Sequence, residues 1–453
     1  MGEFSVAGAR VVVMGAARSG LAAAELLIHR GATVTLSDQK PSIEDAERME
    51  RMGVTLKLGS NESEALQRAD LVVTSPGVPL ELPSLVAARD RGVPVIGELE
   101  LASRWARGPI VAITGTKGKS TTTTLVGRML TAAGKSVLVG GNIGVPLSAQ
   151  VDRSTDTSIH VVEVSSFQLE ATDTFHPWIA ALLNFSPDHL DRHPDEAAYA
   201  AAKARVFANQ SPADWAVVNG DNAAAMTLGA AARARRLVYA VDAIEDAAVF
   251  VERDFIWQRT SEGPTPLVPL TAIRLTGRHM LSNVVAATAI AHAAGAPGEA
   301  MTRALDGFTG LEHVMEPVAI IDGVRFVNDS KATNVDAAGR SIESFDRVVA
   351  IIGGRYKGGS FADLARPLAA RGRGVVAIGE ARPIVRSALT GAVPVVDADS
   401  MREAVTVAFE LARPDGVVLL APACSSFDMF SDYADRGRVF KAEVMRLRNA
   451  ERG

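Results

Sequence analysis

The sequence predicts an α/β protein made of three consecutive α/β domains, and three observations carry that prediction. Short apolar runs alternate with helical segments along nearly the whole chain, the pattern of parallel sheets covered by helices. The alternation starts afresh twice, after residue 98 and again after residue 310. The length, 453 residues, exceeds what one hydrophobic core supports.

The elements follow in order. "ARVVVMG" is a short apolar run, "SGLAAAELLIHRG" has helical spacing and stops at a glycine, and "ATVTLSD", "DLVVTSPG" and "VPVIGE" are further strands. This is a doubly wound, Rossmann-like unit, expected over residues 1–98. A helical stretch then leads to "PIVAITG", which opens a second sheet continued by "SVLVGGN", "IHVVEVS", "IAALLNFS", "WAVVNGD" and "RLVYAVD". A helix near residues 282–294 closes this central domain, expected over 99–310 and P-loop ATPase-like. The third domain, 311–453 and again Rossmann-like, is expected from "RFVNDS", "VVAIIGG", "VVAIGE", "VPVVDA" and "GVVLLAPA".

Composition excludes several classes. Hydrophobic residues form 47% and charged residues 22% of the chain, as in ordinary globular proteins. A formal charge of -5 counts against a nucleic-acid or anionic-membrane binder, which would favour a basic surface. No apolar run approaches the roughly 18 residues that span a bilayer. The N-terminus has no charged-then-apolar pattern, so a cytoplasmic protein without membrane insertion is expected. Cys424 is the single cysteine, which excludes an internal disulfide and a multi-cysteine metal site. A quiet buried thiol is the expectation there.

The motif with most chemical content is Gly115, Thr116, Lys117, Gly118, Lys119 and Ser120, running from a strand into a helix. Glycines let successive N–H groups curl around an anion at the positive end of the helix. Lys119 adds a point charge, and Ser120 a hard oxygen suited to Mg²⁺. Ile113 stands where the longer phosphate loop has its first glycine. "GAARSG" is weaker, because Ala17 fills the middle glycine position; Asp38, closing the second strand, suits a ribose or uracil-type group. Glu163 ends an apolar strand and needs a partner, either Mg²⁺ or a structural cation. Asp188, His189, Asp191 and His193 follow another strand. Pro194 disfavours a helical zinc pair there, leaving magnesium assistance by His189 or a hydrogen-bonded loop histidine open. Tyr199, Lys203, Val206 and Phe207 share one helix face, where the residue pattern alone predicts that Lys203 snorkels to the surface. At strand ends of the third domain stand Asp329, Lys331, Thr333, Lys357, Ser425, Ser426, Phe427 and Tyr433, ammonium, hydroxyl and ring groups suited to an anionic substrate.

Together, "GTKGKS", "SSFQLE", "NFSPDHLDRH", "NDSKATN", "GGRYKGG" and "PACSSFD" with "RGRVF" resemble the Mur ligase family, over essentially the whole chain. These ATP-dependent enzymes build the peptide stem of the bacterial cell-wall precursor, and the segments look most like the branch that adds D-glutamate. The resemblance implies that ATP phosphorylates the carboxylate of UDP-MurNAc-L-Ala and that the amine of D-glutamate attacks the acyl phosphate. By position it implies catalytic roles for Lys119, Asn142, His189 and Lys203. Magnesium ligands fall on Ser120, Glu163 and His189. Lys203 matches a lysine that takes up CO₂ as a carbamate and steadies a second Mg²⁺, which replaces the snorkelling expectation. ATP would meet residues 115–120, Thr121, Asn283, Asp329 and Lys331. The nucleotide-sugar would meet Arg18, Ser19, Asp38, Ser75, Gly77, Asn142 and Ser165. D-glutamate would meet Thr333, Lys357, Ser426, Phe427 and Tyr433. A monomer acting on small molecules by domain closure is implied.

Two departures stand out. The family reads H-R-x-E where this chain has His313, Val314, Met315 and Glu316. It reads H-N-x-x-N where Met280 precedes Asn283. Both missing groups would face ATP, with Arg278 a candidate substitute. Competing readings are another Mur or folylpolyglutamate ligase, a dinucleotide-dependent oxidoreductase, which leaves residues 115–120 unexplained, and a silent nucleotide-binding regulator.

Overall fold

The computed structural model describes residues 4–60, 64–188, 192–242, 244–275, 277–356 and 359–451. The chain divides into two compact units, Met1–Phe308 and Thr309–Gly453.

The first unit contains two sheets. Five parallel strands lie in the order Thr55–Leu58, Thr33–Asp38, Arg10–Met14, Leu71–Thr74 and Val95–Gly97. The strand order reverses between Arg10–Met14 and Leu71–Thr74, which opens a crevice at their carboxyl ends, where doubly wound sheets hold ligands. Helix Arg18–His29 covers one face by burying Gly20, Ala23, Ala24, Leu26 and Leu27, a helical stripe. The second sheet has nine strands. Ser136–Gly141, Ser158–Glu163, Ile110–Thr114, Ile179–Leu182, Trp215–Asn219, Arg235–Ala240 and Val249–Glu252 run parallel in that spatial order. Phe255–Thr260 and Gly263–Pro269 extend it antiparallel. Ile110–Thr114, Ser158–Glu163 and Ile179–Leu182 are buried at every residue, as central parallel strands with both faces covered must be. Helix Lys119–Ala132 packs against helix Arg278–Ala293.

The second unit has one six-stranded sheet in the order Glu316–Ile321, Val324–Asn328, Val417–Leu420, Val348–Gly353, Gly372–Ile378 and Val395–Asp397. Only the first of these runs antiparallel to its neighbour. Alternation along Val348–Gly353 builds two cores: Val348, Ala350 and Ile352 point into one, Val349 and Ile351 into the other with Phe409 and Phe440.

Every strand named from the sequence is present, and the helix expected near 282–294 spans Arg278–Ala293. Five strands were not foreseen: Thr55–Leu58, the three of Val249–Glu252, Phe255–Thr260 and Gly263–Pro269, and Glu316–Ile321. All are at or near sheet edges and are partly exposed, so polar residues and prolines interrupt their apolar pattern. No described helix is long and apolar enough to cross a membrane.

Candidate active site

Strand Ile110–Thr114, third from one edge of the nine-stranded sheet and flanked by Ser158–Glu163 and Ile179–Leu182, delivers the chain to the phosphate-loop motif. Gly118 sits at φ +82 as the cap of helix Lys119–Ala132, and a Cβ there would lie 2.1 Å from Asn283 Oδ1. Only glycine fits. Asn184 braces the loop from the next strand: its Oδ1 accepts from Lys117 N (2.9 Å), its Nδ2 donates to Lys117 O (3.0 Å), and its O accepts from Thr116 N (3.1 Å). Lys119 Nζ donates to Gly115 O and Thr116 O, each at 3.0 Å. The N–H groups of the first helical turn, Lys119, Ser120 and Thr121, face the same end, the ordinary seat of a phosphate.

Lys203 is 1% exposed and its Nζ donates to Gly115 O at 2.9 Å. It lies 4.5 Å from the centroid of Tyr199, whose hydroxyl donates to Thr116 Oγ1 at 3.4 Å. Burial, helped by the charge of Lys119 and opposed by Asp188, lowers its pKa to about 6. The snorkelling expected from the helix pattern is therefore wrong. Tyr199, Val206 and Phe207 on the same helix face are buried as well, the Tyr199 ring lies against the lysine, and the phosphate loop accepts its hydrogen bond.

Glu163 is 2% exposed at the end of strand Ser158–Glu163, paired with Ile113. Its Oε1 accepts from Asn142 Nδ2 at 3.0 Å, and its buried Oε2 has no hydrogen-bond partner among the described residues. An orphaned carboxylate oxygen beside a phosphate loop fits a hard divalent cation, and Ser120 supplies a second oxygen type of the same class. His189 lies outside the described residues. His193 is buried against Ser166 Oγ (3.0 Å) and Glu170 Oε1 (3.0 Å) and stacks on Phe167, so its ring is built into the fold. Ser165 caps helix Ser166–Glu170, its Oγ accepting from Gln168 N at 3.2 Å.

A cavity of about 530 Å³ opens at the crevice of the five-stranded sheet. It is lined by the predicted Arg18, Ser19, Asp38, Ser75, Gly77 and Asn142. Asp38 holds the "GAARSG" turn by accepting from Ala16 N (2.6 Å) and also accepts from Lys40 N (2.8 Å). Arg18 Nη1 donates to Gly144 O at 3.0 Å, and Ser75 Oγ to Gly15 O at 2.8 Å. Gly20 permits this closeness, since a Cβ would sit 1.8 Å from Gly15 O.

In the second unit, three segments meet beyond the carboxyl ends of strands Val324–Asn328 and Val417–Leu420. Ser330 Oγ donates to Tyr433 O (2.7 Å) and Ala423 N to Ala332 O (2.9 Å). Arg436, fully buried, donates to Ser330 Oγ (3.0 Å), Ser330 O (2.9 Å) and Cys424 O (3.2 Å). Burial lowers its pKa to about 10, so it stays a cation. Asp329 accepts from Met315 N (3.2 Å) and from the Ser341 hydroxyl, and Lys331 N donates to His313 O (3.1 Å). Thr333 is half-buried and Ser426 buried, while Phe427 and Tyr433 are exposed. Ser425 Oγ donates to Arg355 O at 3.0 Å. Lys357 lies outside the described residues. Cys424 is fully buried, as expected.

Family models describe the same three regions. The Mur ligase MurD-like N-terminal domain matches residues 9–97, the Mur ligase middle domain 113–291, and the Mur ligase glutamate ligase domain 315–424. The chain belongs to the Mur ligase family. The UDP-N-acetylmuramoylalanine–D-glutamate ligase of Acidobacterium capsulatum is 44% identical to it, over 98% of this chain and 97% of the relative. That of Pelotomaculum thermopropionicum is 43% identical over 97% and 98%. Among solved structures, the UDP-N-acetylmuramate-alanine ligase of Thermotoga maritima shares the fold at 18% identity, with TM-score 0.59, covering 98% of this chain and 100% of that one. A pseudomurein peptide ligase type C from Methanothermus fervidus does so at 16% identity, with TM-score 0.60 and coverage of 97% and 100%. Mur ligases are ATP- and Mg²⁺-dependent, peptide-bond-forming enzymes.

In this Mur ligase both departures have local consequences. Met280 is buried, and Asn283 Nδ2 donates weakly to its sulfur at 3.8 Å. Arg278 is paired with Asp242 at 2.6 and 3.1 Å. Beside Val314, Glu316 accepts from His313 N (2.9 Å), Asn328 Nδ2 (2.9 Å) and Lys441 Nζ (3.0 Å). Sequence reasoning missed Asn184, Arg192 and Arg436. Asn184 had a readable cue, since a polar residue directly after an apolar strand is where α/β sheets place ligand-side groups.

Proposed function

We propose that the chain is an ATP-dependent ligase that joins D-glutamate to UDP-MurNAc-L-Ala in peptidoglycan precursor synthesis. The observation that carries this reading is the bridge formed by Asn142, which lines the 530 Å³ cavity and donates to Glu163, one strand from the phosphate loop. A nucleotide-sugar seated in the cavity would then have its acid end directed toward the site of phosphoryl transfer. The near-full-length likeness to D-glutamate ligases supports the choice of amino acid.

A carboxylate is a poor acylating agent. Its oxygen attacks the γ-phosphorus of ATP, a P–O bond forms, and ADP leaves. The D-glutamate amine then attacks the acyl carbon, loses a proton, and the C–O bond to phosphate breaks. Residues 115–121 and Lys119 offset the repulsion between the two anions in the first step. Mg²⁺, held by Ser120, Glu163 and His189, would supply further charge neutralisation there. Lys203 is proposed to react as a neutral amine with CO₂, forming an N–C bond and releasing a proton, and the resulting carbamate would offer an anionic ligand for a second Mg²⁺. Its low pKa favours that amine at pH 7.

Arg18, Ser19, Asp38, Ser75 and Gly77 are proposed to hold the nucleotide-sugar, with Ser165 nearby in the central domain. Asn283, Asp329 and Lys331 would complete the ATP contacts, and Thr333, Lys357, Ser426, Phe427 and Tyr433 would hold D-glutamate. Domains of residues 1–98, 99–310 and 311–453 would serve nucleotide-sugar, ATP and amino acid respectively. A cytoplasmic monomer goes with this reading, because ATP and a nucleotide-sugar are its substrates.

The test is an acceptor panel with ATP, Mg²⁺ and UDP-MurNAc-L-Ala. D-glutamate should support phosphate release, and L-glutamate, L-alanine and diaminopimelate should not. Equal release with any of those, or none with D-glutamate, overturns the reading.

A further inference from the structure

Arg192 has no part in the chemistry above, yet it grips the cavity wall. Its Nη1 donates to Gly77 O (3.1 Å) and its Nη2 to Val78 O (2.9 Å), and both residues line the cavity. The guanidinium also lies over the Phe167 ring, 5.0 Å from its centroid. Phe167 stacks on His193 at 5.2 Å and 17°, His193 packs on Tyr199 at 5.0 Å, and the Tyr199 ring carries Lys203 Nζ at 4.5 Å. Contacts therefore run unbroken from the cavity wall to the buried lysine, all inside the Met1–Phe308 unit.

The wall itself is a short irregular turn, "SPGVP", with two prolines that cannot donate. Within it Val78 N donates to Ser75 O (3.0 Å), and Ser75 N ties the turn to Met14 O (2.9 Å). The carbonyls of Gly77 and Val78 point the other way, toward the segment between strand Ile179–Leu182 and helix Glu196–Ala204. A planar guanidinium presents donors in a fixed fork that spans two adjacent carbonyls, which a lysine ammonium on a flexible stem does not reproduce.

We infer that Arg192 is a positioning residue for the nucleotide-sugar: it latches the cavity wall at residues 75–79 to the segment that enters the Lys203 helix. A ligand in the cavity is thereby held in register with the phosphate loop, where a displacement of about 1 Å costs rate as well as affinity. The identity of the ligand rests on the function proposed above; the latch does not.

The test compares wild type with Arg192→Lys and Arg192→Met. In the ligand-free enzymes, hydrogen exchange at the amides of Ser75 and Val78, which are bonded to Met14 O and Ser75 O, should accelerate by about tenfold or more when the two charge-assisted bonds are lost. The KM for UDP-MurNAc-L-Ala should rise by about 10- to 100-fold, less for lysine than for methionine. The KM for ATP should stay within about twofold, and the melting temperature within about 2 °C, because the phosphate loop has its own brace in Asn184. Unchanged exchange at the wall overturns the inference. So does a parallel rise of both KM values with a falling melting temperature, the mark of a merely structural arginine. A wild type that releases no phosphate with these substrates would refute the functional reading instead, and the exchange data alone would then decide the latch.

Discussion

Replacing Lys203 by methionine removes a buried amine while keeping most of the side-chain volume, and the structure fixes the expected effect. The unfolded chain's lysine titrates near 10.5, whereas burial holds the folded one at about 6. Between those values the unfolded state binds a proton that the folded state lacks, so wild-type stability rises with pH across that window. The penalty is full below pH 6 and gone above about 10.5. At pH 7 about 3.5 pH units of it remain, which at about 1.4 kcal/mol each is about 5 kcal/mol. Methionine removes this penalty but takes from Gly115 O one of its two donors, leaving Lys119 Nζ, a loss of about 1–2 kcal/mol. Lys203→Met should therefore be more stable than wild type by about 3 kcal/mol at pH 7, with the advantage shrinking as pH rises and reversing near pH 10. Calorimetry in metal-free, CO₂-free buffer between pH 6.5 and 10 reads the difference. Added bicarbonate should stabilise wild type and not the variant, and the variant should be inactive. A variant less stable at every pH, or a difference independent of pH, would refute the argument that desolvation of this amine dominates.

Other positions give independent checks. Asn184→Ala removes the brace on Lys117 and should raise the KM for ATP by about tenfold at a stability loss of about 1–3 kcal/mol, measured by kinetics and denaturant unfolding. Gly118→Ala forces a Cβ against Asn283 and should abolish measurable ATP binding by calorimetry while the chain still folds. Glu100 is fully buried and accepts from Asp173 N, Thr174 N and Oγ1, Phe175 N and Arg104 Nε. Burial pushes its pKa up, but those bonds outweigh it and leave it below the ordinary 4.5. Its stabilisation is thus full above pH 4.5 and lost as pH falls through the folded value, and Glu100→Ala should cost about 3–5 kcal/mol and flatten that acid limb of a stability profile.

The fold was legible where strands are central and continuous, as in "IVAIT" or "VVAIIG". It was not legible at edges such as Gly263–Pro269, where half-exposed positions admit prolines and polar residues. Residues 115–120 declared themselves because a glycine-rich turn between strand and helix has few other uses. Lys203 shows the opposite case: its own helix suggested a snorkelling side chain, because helical periodicity describes one element and says nothing of the loop that packs over it. Arg192 was unreadable for a related reason. Its partners are the carbonyls of Gly77 and Val78, more than a hundred residues away, and backbone acceptors leave no mark in a sequence.

The loop of residues 115–120 is proposed to seat the ATP whose terminal phosphoryl group passes to the acid of the nucleotide-sugar. UDP-MurNAc-L-Ala labelled with ¹⁸O in its terminal carboxylate, turned over with ATP, Mg²⁺ and D-glutamate, tests this most directly. Phosphate carrying one ¹⁸O from the carboxylate is the expected product. Unlabelled phosphate, released at the same rate as the amide forms, would contradict the proposal.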